Sequence, residues 1–221
     1  MSEGWAGGGE RDDGPEVLEV EDDRLEEEEH VHALPLDEQP LTDDESGDTP
    51  VPTQHVGGEL EVPGDVNVIE GEPDGTRRGV AIVAARFNGG ITTRLLDGAL
   101  AELERIGVRR EAITVMPVPG AFELPLAAMA LAKTRRYACV VALGCVVRGE
   151  TPHFEYIASE AASGLQLAAL ETGVPVAFGV LTVDSIEQAE ARVGKGVEAV
   201  RTALEMADAF SQLRASANVT R

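Results

Sequence analysis

The chain has little basic charge, few thiols and little histidine. Its 221 residues carry 18 Lys and Arg against 40 Asp and Glu, a formal net charge of −22. The shortage of base is local: residues 1–60 hold 20 acidic and 2 basic side chains, residues 61–221 hold 20 and 16. No basic stripe runs along any segment, so nucleic acid is a poor partner for this chain. No apolar stretch is long and uninterrupted enough to span a bilayer, and no membrane partner is expected. The opening residues Met1-Ser2-Glu3-Gly4-Trp5 lack the basic patch and apolar run of a secretory signal, which makes the cytoplasm the expected location. The two cysteines, Cys139 and Cys145, fall in one apolar run. An extended strand holds such a pair too far apart to bond, so both are expected as buried free thiols. Three of the four histidines, His30, His32 and His55, lie in the acidic segment, leaving His153 alone beyond it. No ligand cluster has metal spacing, and no metal is expected. The Gly-rich segments match neither a Walker A loop nor the G-x-G-x-x-G dinucleotide fingerprint.

The charge divides the chain into two parts. The acidic run Glu26-Glu27-Glu28-Glu29, with few apolar neighbours, cannot bury enough surface to offset chain entropy. Residues 1–62 are therefore expected to be a disordered acidic extension, and Pro50-Val51-Pro52 is in keeping with this. Residues 63–221 are expected to form the folded domain. No internal repeat of sequence is seen.

Strand and helix patterns alternate through that domain. Val66-Asn67-Val68-Ile69 reads as a short strand before a Gly- and Pro-containing turn. Val80 to Ala85 is a near-continuous apolar run, as for a strand covered on both faces. Residues 91–106 read as a helix, with Ile91, Leu95, Leu96, Ala99 and Leu103 on one face and Gly107 ending it. Ile113 to Met116 reads as a strand, 122–133 as a helix, Tyr137 to Val147 as the longest buried strand, and 152–171 as a helix ended by Gly173. Val174 to Val183 is a further strand, and 185–192 and 196–213 are helices. This order predicts a parallel sheet with helices on both faces, a three-layer, flavodoxin-like α/β domain.

Ligands bind such open sheets at the carboxyl ends of the strands. That rule gathers Arg86-Phe87-Asn88, Pro119-Gly120-Ala121-Phe122-Glu123, Cys145 to His153, and the stretch from Phe178 to Asp184. The third is the most informative. A buried strand hands over to a Gly-rich turn that opens a helix, where free N–H groups and the positive helix end suit an anion such as phosphate. Thr151 reads as the N-cap and Pro152 as the first helical residue. Neither explains His153 in the same turn, a proton carrier beside the anion at neutral pH. The other positions each admit two readings. Phe87 either stacks on a flat heterocycle or caps the core. Glu123 either accepts from hydroxyl groups or balances a helix N-terminus. Arg192 and Lys195 either reach a phosphate or are ordinary surface charges.

Several segments together resemble one family. Ala85-Arg86-Phe87-Asn88, Val118-Pro119-Gly120-Ala121-Phe122-Glu123-Leu124-Pro125 and Leu143-Gly144-Cys145-Val146-Val147-Arg148-Gly149-Glu150-Thr151-Pro152-His153-Phe154 are similar to the signature segments of the lumazine synthases. Gly173 to Thr182 and Glu187-Gln188-Ala189 fit the same pattern, and the likeness runs in order from about Val66 to about Leu213. It implies that 5-amino-6-(D-ribitylamino)uracil and 3,4-dihydroxy-2-butanone 4-phosphate are joined to 6,7-dimethyl-8-ribityllumazine, the precursor of riboflavin, with loss of phosphate and water. It also implies that no metal or organic cofactor is used.

Carried over by position, Phe87 stacks on the pyrimidine, and Ala121, Phe122 and Glu123 meet the ribityl chain and ring edge. Cys145, Val146 and Val147 line the pyrimidine through main-chain groups. Glu150, Thr151 and Arg192 bind the phosphate, Phe178 closes the pocket of a neighbouring subunit, and His153 moves protons. The family pattern is longer between the arginine and the last helix than Val193-Gly194-Lys195-Gly196, and Ala191 stands where an acidic residue is common. Lys195 is accordingly not assigned. The resemblance further implies a homopentamer, in some members built into an icosahedral cage, with Val66 to Ile69 joining a neighbour's sheet and riboflavin synthase as a candidate partner. The alternatives are an archaeal-type riboflavin synthase, a non-catalytic lumazine-binding shell, and a flavodoxin-like flavin-binding module.

Overall fold

A computed structural model describes residues 60–219, with side chains to residue 216. The expected disorder of residues 1–62 falls almost wholly outside the described residues. Four strands form a parallel sheet in the order β2-β1-β3-β4. They are β1 (Val80–Ala85), β2 (Ile113–Val118), β3 (Cys139–Val147) and β4 (Val176–Val183). Five helices accompany them: α1 (Gly89–Ile106), α2 (Leu124–Lys133), α3 (His153–Thr172), α4 (Ile186–Glu190) and α5 (Lys195–Val219).

The sheet is buried on both faces, which is why its central strands are apolar without alternation. All six residues of β1 are buried. Val80, Ile82, Cys139, Val141, Leu143 and Leu181 face α1 and α5, where they meet Leu95, Leu103, Val200 and Leu204. Ala81, Val83, Val140, Ala142 and Val180 face α2 and α3, where they meet Leu124, Ala128, Ala161 and Leu165. The result is three layers around one sheet. Gly107 and Gly173 end α1 and α3 in the left-handed region, with φ of 99° and 64°, as the sequence suggested.

One inter-helix clamp is ionic. Glu102 of α1 is buried and accepts from Arg105 Nε at 2.7 Å and from Arg201 Nε of α5 at 2.5 Å. Those guanidinium groups hold its carboxyl at about 2, against the opposing cost of burial.

The expected strand over Val66 to Ile69 is not present within this chain. Val66, Val68 and Ile69 are more than half exposed and pair with no strand among the described residues. Hydrogen bonds fasten the residues that follow to α5: Gln212 Nε2 donates to the Glu70 carbonyl at 2.7 Å, and the Glu72 N–H donates to Asp208 at 3.2 Å.

Strand order reverses between β1 and β3, because the chain runs from β1 to one neighbour and then crosses to the other side. Crevices for ligands open at that point, beyond the carboxyl ends of the strands. β1 stays paired with β3 only as far as Ala84 and Leu143, while β3 continues against β4 to Val147 and Val183. Residues 144–147 therefore have one sheet edge that no strand covers.

Candidate active site

The crevice is a cavity of about 660 Å³. Three chain segments build it, each continuing from the end of a strand. After β1, the Arg86 and Phe87 N–H groups donate to the Val118 and Pro119 carbonyls at 2.9 and 3.1 Å. The parallel pairing thus runs on past both strands and brings Phe87 beside Gly120. Asn88 follows in the left-handed region, with φ 55°. Its Nδ2–H donates to the Cys145 carbonyl at 2.8 Å, on the open edge of β3. Main-chain groups of alternate residues point the same way along a strand, so those of Val147 face the same edge.

After β2, Ala121–Glu123 form one 3₁₀ turn leading into α2. Glu123 Oε2 accepts from the Gly120 N–H at 2.8 Å, which fixes the carboxylate at the cavity wall. After β3, residues 148–152 cross to α3. Here the structure moves the cap by one residue: Pro152, not Thr151, is the N-cap, without a side-chain cap bond, and His153 is the first helical residue. Thr151 is thereby left at the cavity rather than spent on the helix end.

Of the residues singled out in the sequence, Phe87, Ala121, Phe122, Glu123, Cys145, Val146, Val147, Thr151 and His153 all line this one cavity. Glu150, Phe178 and Arg192 do not. Glu150 lies in the loop itself, next to Gly149 and Thr151. Phe178 is on β4 opposite Ala142, half-exposed, three positions before the strand reaches the level of Cys145. Arg192 follows α4, where its Nη1–H donates to the Gln188 carbonyl at 2.9 Å. Lys195 pairs with Glu198 at 2.6 Å on the first turn of α5.

Sequence reasoning gave no site role to Asn88, Phe154, Tyr156 or Ile157, which also line the cavity. A signal was available for Asn88, since Asn tolerates the left-handed turn that ends a strand here. The others face the cavity through the rotation of α3.

The chemistry of the walls is lopsided. Four of the chain's eight aromatic residues, Phe87, Phe122, Phe154 and Tyr156, are in them, and three of these are largely exposed. An exposed aromatic cluster in so aromatic-poor a chain is suited to a flat ring. Glu123 and His153 are the ionisable side chains of the wall besides the thiol of Cys145 and the phenol of Tyr156. Burial raises the Cys145 thiol above its ordinary value, so it stays protonated and is no nucleophile at neutral pH. Cys139, deeper in the same strand, is pushed up to about 12. Both are free, as expected. Among the described residues no group of His, Cys, Asp and Glu could hold a metal ion, and no helix is long and apolar enough to cross a membrane.

Comparison with known proteins adds an independent observation. A family model described as 6,7-dimethyl-8-ribityllumazine synthase matches residues 78–211. A protein of that name from Yersinia pestis (strain Pestoides F) is 54% identical over 155 residues, which cover 67% of this chain and 99% of the relative. Another of the same name from Yersinia pseudotuberculosis (serotype O:1b, strain IP 31758) is similar to the same extent.

Proposed function

This chain belongs to the 6,7-dimethyl-8-ribityllumazine synthase family, and from that premise we propose that the cavity is where it condenses 5-amino-6-(D-ribitylamino)uracil with 3,4-dihydroxy-2-butanone 4-phosphate. The product is 6,7-dimethyl-8-ribityllumazine, and the place of the reaction is riboflavin biosynthesis. The observation that carries the reading is the convergence of Phe87, Ala121–Glu123, Cys145–Val147, Thr151 and His153 on one cavity of about 660 Å³, in a chain that matches this family along its domain.

In this reading the pyrimidine stacks on Phe87 and meets the uncovered main-chain edge of Cys145 to Val147. Its ribityl hydroxyls reach Phe122, Ala121 and the carboxylate of Glu123. The phosphate lies at the loop of Glu150 and Thr151, at the positive end of the twenty-residue helix α3. The substrate amine attacks the ketone, water leaves to give an imine, phosphate is eliminated, and a second attack closes the ring with loss of another water. Every step needs a proton moved and none needs a hydride or an enzyme-bound covalent intermediate. His153 stands between the phosphate loop and the aromatic wall and carries those protons. Most of the acceleration comes from holding two substrates in attack geometry, to which the histidine adds a factor of about 10²–10⁴.

Phe178 and Arg192 fit the reading as residues of a site completed across a subunit boundary, since neither lines the cavity of its own chain. Arg192 would then be the charge partner of the phosphate. Assembly as a homopentamer, alone or in a cage, is supported by the apolar surface the chain leaves uncovered: Val66, Val68, Ile69, Leu126, Leu170 and Phe178 are all exposed. A second apolar hollow, of about 410 Å³, opens between α3, β4 and α5 beside Leu170 and Met206. Riboflavin synthase is the partner proposed to take the product.

The test is the product. Purified protein supplied with the two substrates should form the fluorescent lumazine, and supplied with lumazine alone should form no riboflavin. Riboflavin from lumazine alone would point to the archaeal-type riboflavin synthase instead.

A further inference from the structure

Arg148 lies outside the cavity wall, yet it touches both ends of the loop that carries Glu150 and Thr151 and leads into His153. Its own N–H donates to the Val183 carbonyl at 2.9 Å, so its main chain is the last rung between β3 and β4. Its side chain turns back over the loop. The Nε–H donates to Asp184 Oδ1 at 2.7 Å, Nη1 reaches Glu155 Oε1 at 3.4 Å, and the guanidinium carbon stands 4.7 Å from the ring centre of Phe154. Phe154 and Glu155 are in the first turn of α3, and Asp184 is the residue after β4. One planar fork therefore joins the end of β4 to the start of α3, and the four residues between Arg148 and His153 form a short closed loop.

We infer that Arg148 is a positioning residue that clasps this loop shut and so sets the affinity for the phosphate-bearing substrate. The inference rests on the assignment of the loop to that substrate. A short loop with both ends held presents its N–H groups and the Thr151 hydroxyl in one arrangement, so the ordering cost is met in folding rather than on binding. Guanidinium suits the task, because two acceptors and an aromatic face are engaged by one rigid plane. A lysine could pair with Asp184 or with Glu155, and offers no planar group to the ring. Asp184 also ties the clasp to α4: its N–H donates to Gln188 Oε1 at 3.0 Å, and the carbonyl of the same Gln188 accepts from Arg192.

The experiment compares full-length wild type with Arg148→Gln, Arg148→Lys and Asp184→Asn, by steady-state kinetics with each substrate varied and by amide hydrogen exchange at Gly149 to Thr151. The expected result for Arg148→Gln is a rise of about five- to tenfold in KM for the butanone phosphate, the scale of a few exposed charge and ring contacts. KM for the pyrimidine should stay within about twofold, with faster loop exchange and an intermediate position for Arg148→Lys. Asp184→Asn leaves the arginine in place and should move both readouts the same way by less; it decides the matter if Arg148→Gln does not fold. Unchanged exchange in the variants overturns the inference, as does faster exchange with both KM values unmoved. If wild type makes no lumazine, it is the assignment of the loop that fails, and the exchange comparison still judges the clasp.

Discussion

A side chain at residue 120 cannot coexist with the ring of Phe87 where it stands. A Cβ built on Gly120 lies 2.7 Å from Phe87 Cδ2 and 3.2 Å from Glu123 Oε2. The close approach follows from the hydrogen bond of the Phe87 N–H to the Pro119 carbonyl, which extends the β1–β2 pairing into the site. Glycine at 120 is thus part of how the aromatic wall is placed.

Gly120→Ala tests that relationship. Phe87 is 70% exposed, so its ring can swing aside at small cost in stability. The expected outcome is an unchanged fold by circular dichroism and a KM for the pyrimidine raised about three- to tenfold, the worth of one displaced aromatic contact. KM for the butanone phosphate should move less.

Asn88 has two separable tasks: it occupies a left-handed turn and bridges to the Cys145 carbonyl. Asn88→Gly keeps the turn and loses the bond, for about 1 kcal/mol. Asn88→Ala loses the bond and adds about 1 kcal/mol of backbone strain. Thermal denaturation should rank them wild type, glycine, alanine, in falling stability.

Glu102 predicts the acid limb of stability. Its carboxyl titrates at about 2 in the folded chain, below its ordinary 4.5, first because Arg105 hydrogen-bonds it and then through Arg201. The unfolded chain therefore binds the proton more readily between these values. Glu102 contributes its full share above pH 4.5 and loses it as pH falls toward 2. Glu102→Gln should lower stability at pH 7 by about 2 kcal/mol and flatten the pH dependence of the melting temperature over that window.

The fold was legible where burial decides it. The unbroken apolar runs of β1 and β3, the 3.6-residue period of α1, and Gly107 and Gly173 at helix ends locate the elements to within a few residues. Val66 to Ile69 forms no strand in the single chain, because alternation reports one covered face and cannot say what covers it. The carboxyl ends of the strands led to the cavity, and most of its wall was named from there. What stayed hidden depended on rotation or on long-range bonds: the turning of Tyr156 and Ile157 into the cavity, Asn88 reaching across to Cys145, and Arg148 folding back over its own loop. The Thr-Pro pair looked like a cap and start, yet the helix begins one residue later.

If this cavity makes lumazine with His153 as its proton carrier, replacing that one side chain should slow the product without abolishing it. The most direct measurement follows lumazine fluorescence with both substrates for wild type and His153→Ala, each assembled to the same size. Product well above the uncatalysed rate is expected from wild type. The variant should show a lower kcat with little change in either KM, and should still exceed the uncatalysed rate through substrate positioning alone. A variant as fast as wild type would rule out His153 as the proton carrier, and no product from the wild type would rule out lumazine synthesis at this cavity.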